Sequence, residues 1–179
     1  SETMAGLLYN RGITDSESAQ RFLNPSLDHM TDPLGLPDMK RAATRLLRSI
    51  YANERIMIYG DYDVDGITGT ATLARCLSEL GADVQSYIPK RLEEGYGINI
   101  EAIEQAALQG IKVIVTVDCG ISAYNEVERA KELGMDVIIT DHHQPSENIP
   151  SCTAVVNSKL MDDGIGQVNL AGVVVAFKL

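Results

Sequence analysis

The sequence contains no tryptophan, and aromatic residues make up only 5% of its 179 positions, so platforms for stacking bases are few. Its three cysteines, Cys76, Cys119 and Cys152, stand far apart and form no Cys-x-x-Cys pair. This excludes a disulfide framework and a zinc ribbon, and three reduced thiols are expected. Positive charge is also scarce, with 15 Lys and Arg against 25 Asp and Glu and a formal net charge of −10. Such a balance argues against a broad basic face for nucleic acid, though not against a local basic channel. No apolar run nears the roughly 18–20 residues of a membrane helix, and the first residues lack the basic-then-apolar layout of a secretion signal. A cytoplasmic location is expected.

What is present fits an ordinary folded domain: 45% of residues are hydrophobic and 22% charged. The length suits one domain with a small appendage. The text changes character near residue 50. Before it lie polar, helix-like segments and a proline-rich connection from Pro25 through Pro33 to Pro37. Asp38 then opens a helix in which Met39, Ala42, Ala43, Leu46, Leu47 and Ile50 recur at helical spacing. Lys40, Arg41, Arg45 and Arg48 occupy the rest of its circumference and read as solvated. After residue 55, β-rich runs at 56–59, 84–88, 113–117, 137–140 and 154–156 alternate with helical patterns at 67–80, 100–109 and 123–133. Gly81, Gly110 and Gly134 stand where each helix should end. This alternation predicts an α/β fold, a mostly parallel sheet flanked by helices on both faces, preceded by a small helical N-terminal extension over residues 1–50. The apolar run at 170–179, a helix or strand start, stops without a cap, so the chain is expected to be a fragment.

Three of the strand-like runs end in acids. The first leads into Asp61 and Asp63, the third into Asp118, and the fourth into Asp141, His142 and His143. In an open parallel sheet all carboxyl ends lie on one edge, so these side chains should converge. Carboxylates massed without matching Lys or Arg repel and raise one another's pKa, and a divalent cation is the natural counter-charge. Oxygen ligands with one or two imidazoles suit Mn²⁺ or Mg²⁺ better than tetrahedral zinc. Enough ligands are present for two ions, the arrangement used in phosphoryl hydrolysis. Asp65, ahead of Gly66-Ile67-Thr68, reads as a helix N-cap. Gly120 and Ser122 either offer backbone N–H groups to a phosphate or simply make a tight βα turn. Arg91 and Tyr96 suit a phosphate and a base or sugar, or equally a solvated basic pair and a packed turn tyrosine.

The segments Gly60-Asp61-Tyr62-Asp63-Val64-Asp65-Gly66, Val117-Asp118-Cys119-Gly120, Asp141-His142-His143 and Leu170-Ala171-Gly172-Val173 resemble the ordered motifs of the DHH phosphoesterase superfamily. Within it, Arg11-Gly12-Ile13, Phe22-Leu23-Asn24-Pro25, Leu36-Pro37-Asp38-Met39, the loop 88–97 and the end 171–179 are similar to the single-strand-specific 5′ to 3′ DNA exonucleases of bacterial repair and recombination. The likeness spans nearly the whole chain. It implies a DHH phosphoesterase domain over 51–179, truncated at its C-terminus. It also implies Asp61, Asp63, Asp118 and His142 as ligands of Mn²⁺, with Mg²⁺ the alternative and two ions in the intact protein. His143 would position the phosphate or assist proton transfer, Asp141 would orient the histidines, and Arg91 would line the mouth that admits the strand. Single-stranded DNA is the implied substrate and single-strand-binding protein the implied partner. Tyr59 stands where some relatives have a His, which removes one ligand. A later acidic ligand and the strand-clamping domain fall beyond residue 179, so the fragment is expected to be feebly active or inactive. The rival readings are a relative acting on oligonucleotides or cyclic dinucleotides, and a non-catalytic scaffold, which has no reason to keep repelling carboxylates together.

Overall fold

Two units make up the described residues, 1–90, 95, 97–161 and 169–179, of the computed structural model: Ser1–Asp32 and Pro33–Leu179. The first carries α1 (Glu2–Tyr9) and α2 (Ser16–Leu23). The Asp15 carboxylate caps α2 by accepting from Ser18 N–H, and the same bond lowers its pKa. The change in sequence character near residue 50 and this division between Asp32 and Pro33 do not coincide, because the helix that follows belongs to the second unit. That helix, α3 (Met39–Ala52), buries Met39, Ala42 and Leu46 in the core beneath the sheet.

The apolar runs become five strands, β1 (Arg55–Gly60), β2 (Val84–Tyr87), β3 (Ile111–Val117), β4 (Asp136–Thr140) and β5 (Ala154–Val156). All pair in parallel, in the order β2-β1-β3-β4-β5. Their near-continuous apolar character follows from covering both faces. Successive side chains alternate, so Ile56, Ile58, Val113, Val115 and Ile138 enter one core with α3, α4 (Val64–Glu79) and α7 (Gly172–Lys178). Met57, Tyr59, Ile114, Val137 and Ile139 enter the other, with α5 (Ile100–Leu108) and α6 (Tyr124–Glu132). Gly81, Gly110 and Gly134 follow the ends of α4, α5 and α6 with φ of 87°, 78° and 75°, the left-handed turn that closes a helix. The apolar run at 170–179 is a helix rather than a strand.

Arg45 departs from the sequence reading. Instead of lying in solvent, its Nε donates to Asp136 Oδ2 at 2.5 Å and its Nη1 to Glu54 Oε2 at 2.7 Å. It ties α3 to the N-terminal edge of the sheet, and this guanidinium holds Glu54 below the usual carboxylate range. Asp38 also behaves differently, since its carboxylate makes no cap bond and accepts from Val155 N–H of β5.

Candidate metal centre

The sheet's own hydrogen bonding places the acids. Asp61 N–H donates to Val117 O (3.1 Å), Asp118 N–H to Thr140 O (2.9 Å) and Asp141 N–H to Val156 O (3.1 Å). Each residue that follows a strand is thus held by the last carbonyls of the next strand, and the three acids stand in register along the carboxyl edge. Between β1 and β3 the winding direction reverses, with β2 on one side and β4 on the other. In an open parallel sheet a crevice forms at such a switch point.

Asp118 is the centre of the cluster. It is left-handed (φ 62°), a conformation Asp tolerates better than most residues, and it is almost fully buried. Donor atoms of Asp61, Asp63 and Asp118 lie within 4.8 Å of one another, as do those of Asp118, His142 and His143. Asp118 is common to both groups. Its Oδ1 and that of Asp61 are buried and accept no hydrogen bond among the described residues, although Asp118 Oδ1 is 3.0 Å from His142 Nε2. Burial, with the charges of Asp65 and Asp63, pushes the Asp118 carboxyl up to about 7. Burial and the Asp63 charge also raise Asp61. Unpartnered buried oxygens beside mutually repelling carboxylates are costly unless a cation satisfies them, so the residues fit a divalent metal.

Asp63 and Asp65 exchange the parts read from sequence. Asp63 is the N-cap of α4, with Oδ1 accepting from Asp65 N–H (2.8 Å) and Gly66 N–H (3.0 Å). Asp65 instead turns its carboxylate to α7, accepting from Gly172 N–H (2.7 Å) and Val173 N–H (2.9 Å), and reaches within 3.8 Å of His142 Nε2. The regular spacing of acids at 61, 63 and 65 was the signal that could have included it. Gly172 leaves no room for a side chain, because a Cβ there would stand 2.4 Å from Asp118 Oδ1.

Asp141 is buried and fully engaged. Its Oδ1 accepts from the backbone N–H groups of His142 (2.7 Å) and His143 (3.0 Å) and from His143 Nδ1 (2.7 Å), and its Oδ2 accepts from Ile121 N–H (3.0 Å). A carboxylate acceptor fixes the proton on His143 Nδ1 and leaves Nε2 as the basic nitrogen. Cys119 turns into the core, 3.8 Å from Tyr59 O, and burial pushes its thiol well up, so it offers no thiolate to a soft ion. Tyr59 does not face the acids in place of an imidazole. Its hydroxyl donates to Gly97 O (3.0 Å) and accepts from Asn99 Nδ2 (3.1 Å). Gly120 and Ser122 form the turn between β3 and α6, with Ala123 N–H donating to Gly120 O and Tyr124 N–H to Ser122 O. Together with Asp141 and His143 they border a cavity beside the cluster. Arg91 and Tyr96 lie outside the described residues.

The family model for the DHH family, N-terminal domain, matches residues 55–179. Over 176 residues the chain is 46% identical to the single-stranded-DNA-specific exonuclease RecJ of Bacillus subtilis (strain 168), a match that covers 98% of this chain and 22% of that protein. It is 37% identical over 174 residues to the RecJ of Escherichia coli (strain K12), with 97% and 30% covered. Among solved structures it is similar to exonuclease RecJ bound to manganese (TM-score 0.76, 41% identity, 83% of this chain and 38% of that one). It is also similar to RecJ from Thermus thermophilus in complex with Mn²⁺ (TM-score 0.76, 34% identity, 98% and 24%). The chain therefore spans less than a third of the length of these curated relatives.

Proposed function

The chain belongs to the DHH family, and from this we propose that it is the metal-holding part of a single-strand-specific 5′ to 3′ DNA exonuclease, a phosphodiester hydrolase of DNA repair and recombination. The observation that carries the reading is Asp118, a buried carboxylate that belongs to two potential ligand groups and whose Oδ1 accepts no hydrogen bond among the described residues. Asp61, Asp63, Asp118 and His142 would hold Mn²⁺, or Mg²⁺ in its place, and the shared position of Asp118 supports two ions in the intact protein. The nearness of Asp65 to His142 adds it to the set. A bound divalent ion supplies a hydroxide at neutral pH and neutralises charge on the phosphate.

The chain's own groups do the rest. Asp141 holds the proton on His143 Nδ1, which leaves Nε2 to carry a proton to or from the reacting phosphate. The turn of Gly120 and Ser122 presents backbone N–H groups beside His143, and Arg91 and Tyr96 meet the strand on the strength of the resemblance. No helix among the described residues is long and apolar enough to cross a membrane, and a cytoplasmic enzyme working on strands presented by single-strand-binding protein is consistent with that. Because the relatives are more than three times longer, the chain by itself is expected to be feebly active.

The test is a full-length protein carrying this chain, Mn²⁺ and a long 5′-phosphorylated single strand. The protein should release mononucleotides from the 5′ end, and Asp63→Ala should abolish turnover while the fold persists. Undiminished hydrolysis by that variant removes Asp63 from the site, and hydrolysis of di- or oligonucleotides alone replaces the exonuclease reading.

A further inference from the structure

Behind His143, away from Asp118, lies a cavity of about 340 Å³ walled by Ile98, Ile121 and Ala123, with Gly97 at one side and Glu126 at its lip. This is the small end of the ~300–1,000 Å³ range of small-molecule sites. His143 is the wall that the cavity shares with the metal cluster. The lining contains no Lys or Arg, and its two carboxylates, Asp141 and Glu126, disfavour an anion inside. Asp141 already accepts from three backbone N–H groups and from His143 Nδ1. Glu126 has no hydrogen-bond or ion-pair partner among the described residues. The cavity is thus apolar, uncharged in its preference, equipped with one open acceptor, and separated from the metal cluster by a single imidazole.

We propose that this cavity receives the 5′-terminal nucleoside of the strand, with its base against Ile98, Ile121 and Ala123 and an amino or hydroxyl group of the nucleoside donating to Glu126. The assignment rests on the exonuclease reading and adds to it the place of the leaving group. With the terminal nucleoside there, its 3′-oxygen faces His143. Water adds to phosphorus, the P–O3′ bond breaks, and O3′ takes the proton carried by His143 Nε2. The mononucleotide leaves from the cavity with its own 5′ phosphate, and the remaining strand keeps a new one.

The test is nuclear magnetic resonance titration of the 179-residue chain in Mg²⁺ with dAMP and, as a ligand without a base, deoxyribose 5-phosphate. A separate Mg²⁺ titration without nucleotide reports on the metal cluster alone. The wild-type chain should bind dAMP at least fivefold more tightly than the sugar phosphate, with shifts at Ile98, Ile121, Ala123 and Glu126. Ala123→Phe, which fills the cavity, should reduce dAMP binding to the level of the sugar phosphate and leave Mg²⁺ binding unchanged. Glu126→Gln, a change at the lip that spares the core, should weaken dAMP at least threefold without affecting the sugar phosphate. Mg²⁺ binding with equal affinity for the two ligands, or with dAMP binding indifferent to both variants, overturns the nucleoside assignment alone. Absence of Mg²⁺ binding overturns the exonuclease reading and this assignment with it.

Discussion

Asp118→Asn should make the metal-free chain more stable, and only above acidic pH. The folded state pushes this carboxyl up to about 7 from an ordinary 3.8, so between these values it binds a proton that the unfolded chain has released. Stability must therefore fall as pH rises from about 4 to about 7 and level off beyond. A displacement of this size is equivalent to about 4 kcal/mol. Part of it comes from Asp65 and Asp63, whose charges are screened by solvent, so about 2–4 kcal/mol is the expected cost of the charge at pH 8. Asparagine matches aspartate in shape and accepts the left-handed backbone, which isolates the charge. Urea unfolding without metal should show the variant about 2–4 kcal/mol more stable at pH 8 and equal to wild type at pH 4. Mn²⁺ should then stabilise wild type, because it binds the folded state alone, and leave the variant nearly unchanged. A variant no more stable than wild type at pH 8, or a difference that persists at pH 4, refutes the reasoning.

Gly172→Ala forces a Cβ to within 2.4 Å of Asp118 Oδ1, so it should cost about 1–3 kcal/mol in chemical denaturation and weaken Mn²⁺ binding by calorimetry. Asp65→Asn keeps acceptors for Gly172 and Val173 N–H but removes the charge, so stability should stay within about 1 kcal/mol while Mn²⁺ affinity falls. Arg45→Ala should cost about 1–3 kcal/mol at pH 7 by separating α3 from Asp136 and Glu54. Glu54 is held below its ordinary 4.5, so its share of that stability is present above this value and lost as pH falls through the lowered one; thermal unfolding of wild type and variant should converge in acid.

The features legible in the sequence are those that local pattern determines. Ile56, Ile58, Val113, Val115 and Ile138 announce buried strands because a sheet covered on both faces needs apolar residues at every position. Gly81, Gly110 and Gly134 mark helix ends because each must turn left-handed. The convergence of Asp61, Asp118 and Asp141 follows from parallel strands alone, since consecutive strand ends then share an edge. What escaped depends on partners far away in the chain. Asp65 looks like a cap because its immediate neighbours suit one, yet its carboxylate is taken by the amides of Gly172 and Val173. Arg45 looks like one more exposed cation on α3, and only the fold brings Asp136 to it. Tyr59 hides its purpose too, since its hydroxyl partners at Gly97 and Asn99 lie across a loop whose course no local pattern fixes.

The most direct test of the central claim is anomalous diffraction from crystals of the chain soaked in Mn²⁺. The account predicts manganese density at the carboxyl edge between β1 and β3, contacted by Asp118 together with Asp61, Asp63 and His142. Manganese bound elsewhere, or these side chains turned away from one another around an empty crevice at saturating Mn²⁺, contradicts it.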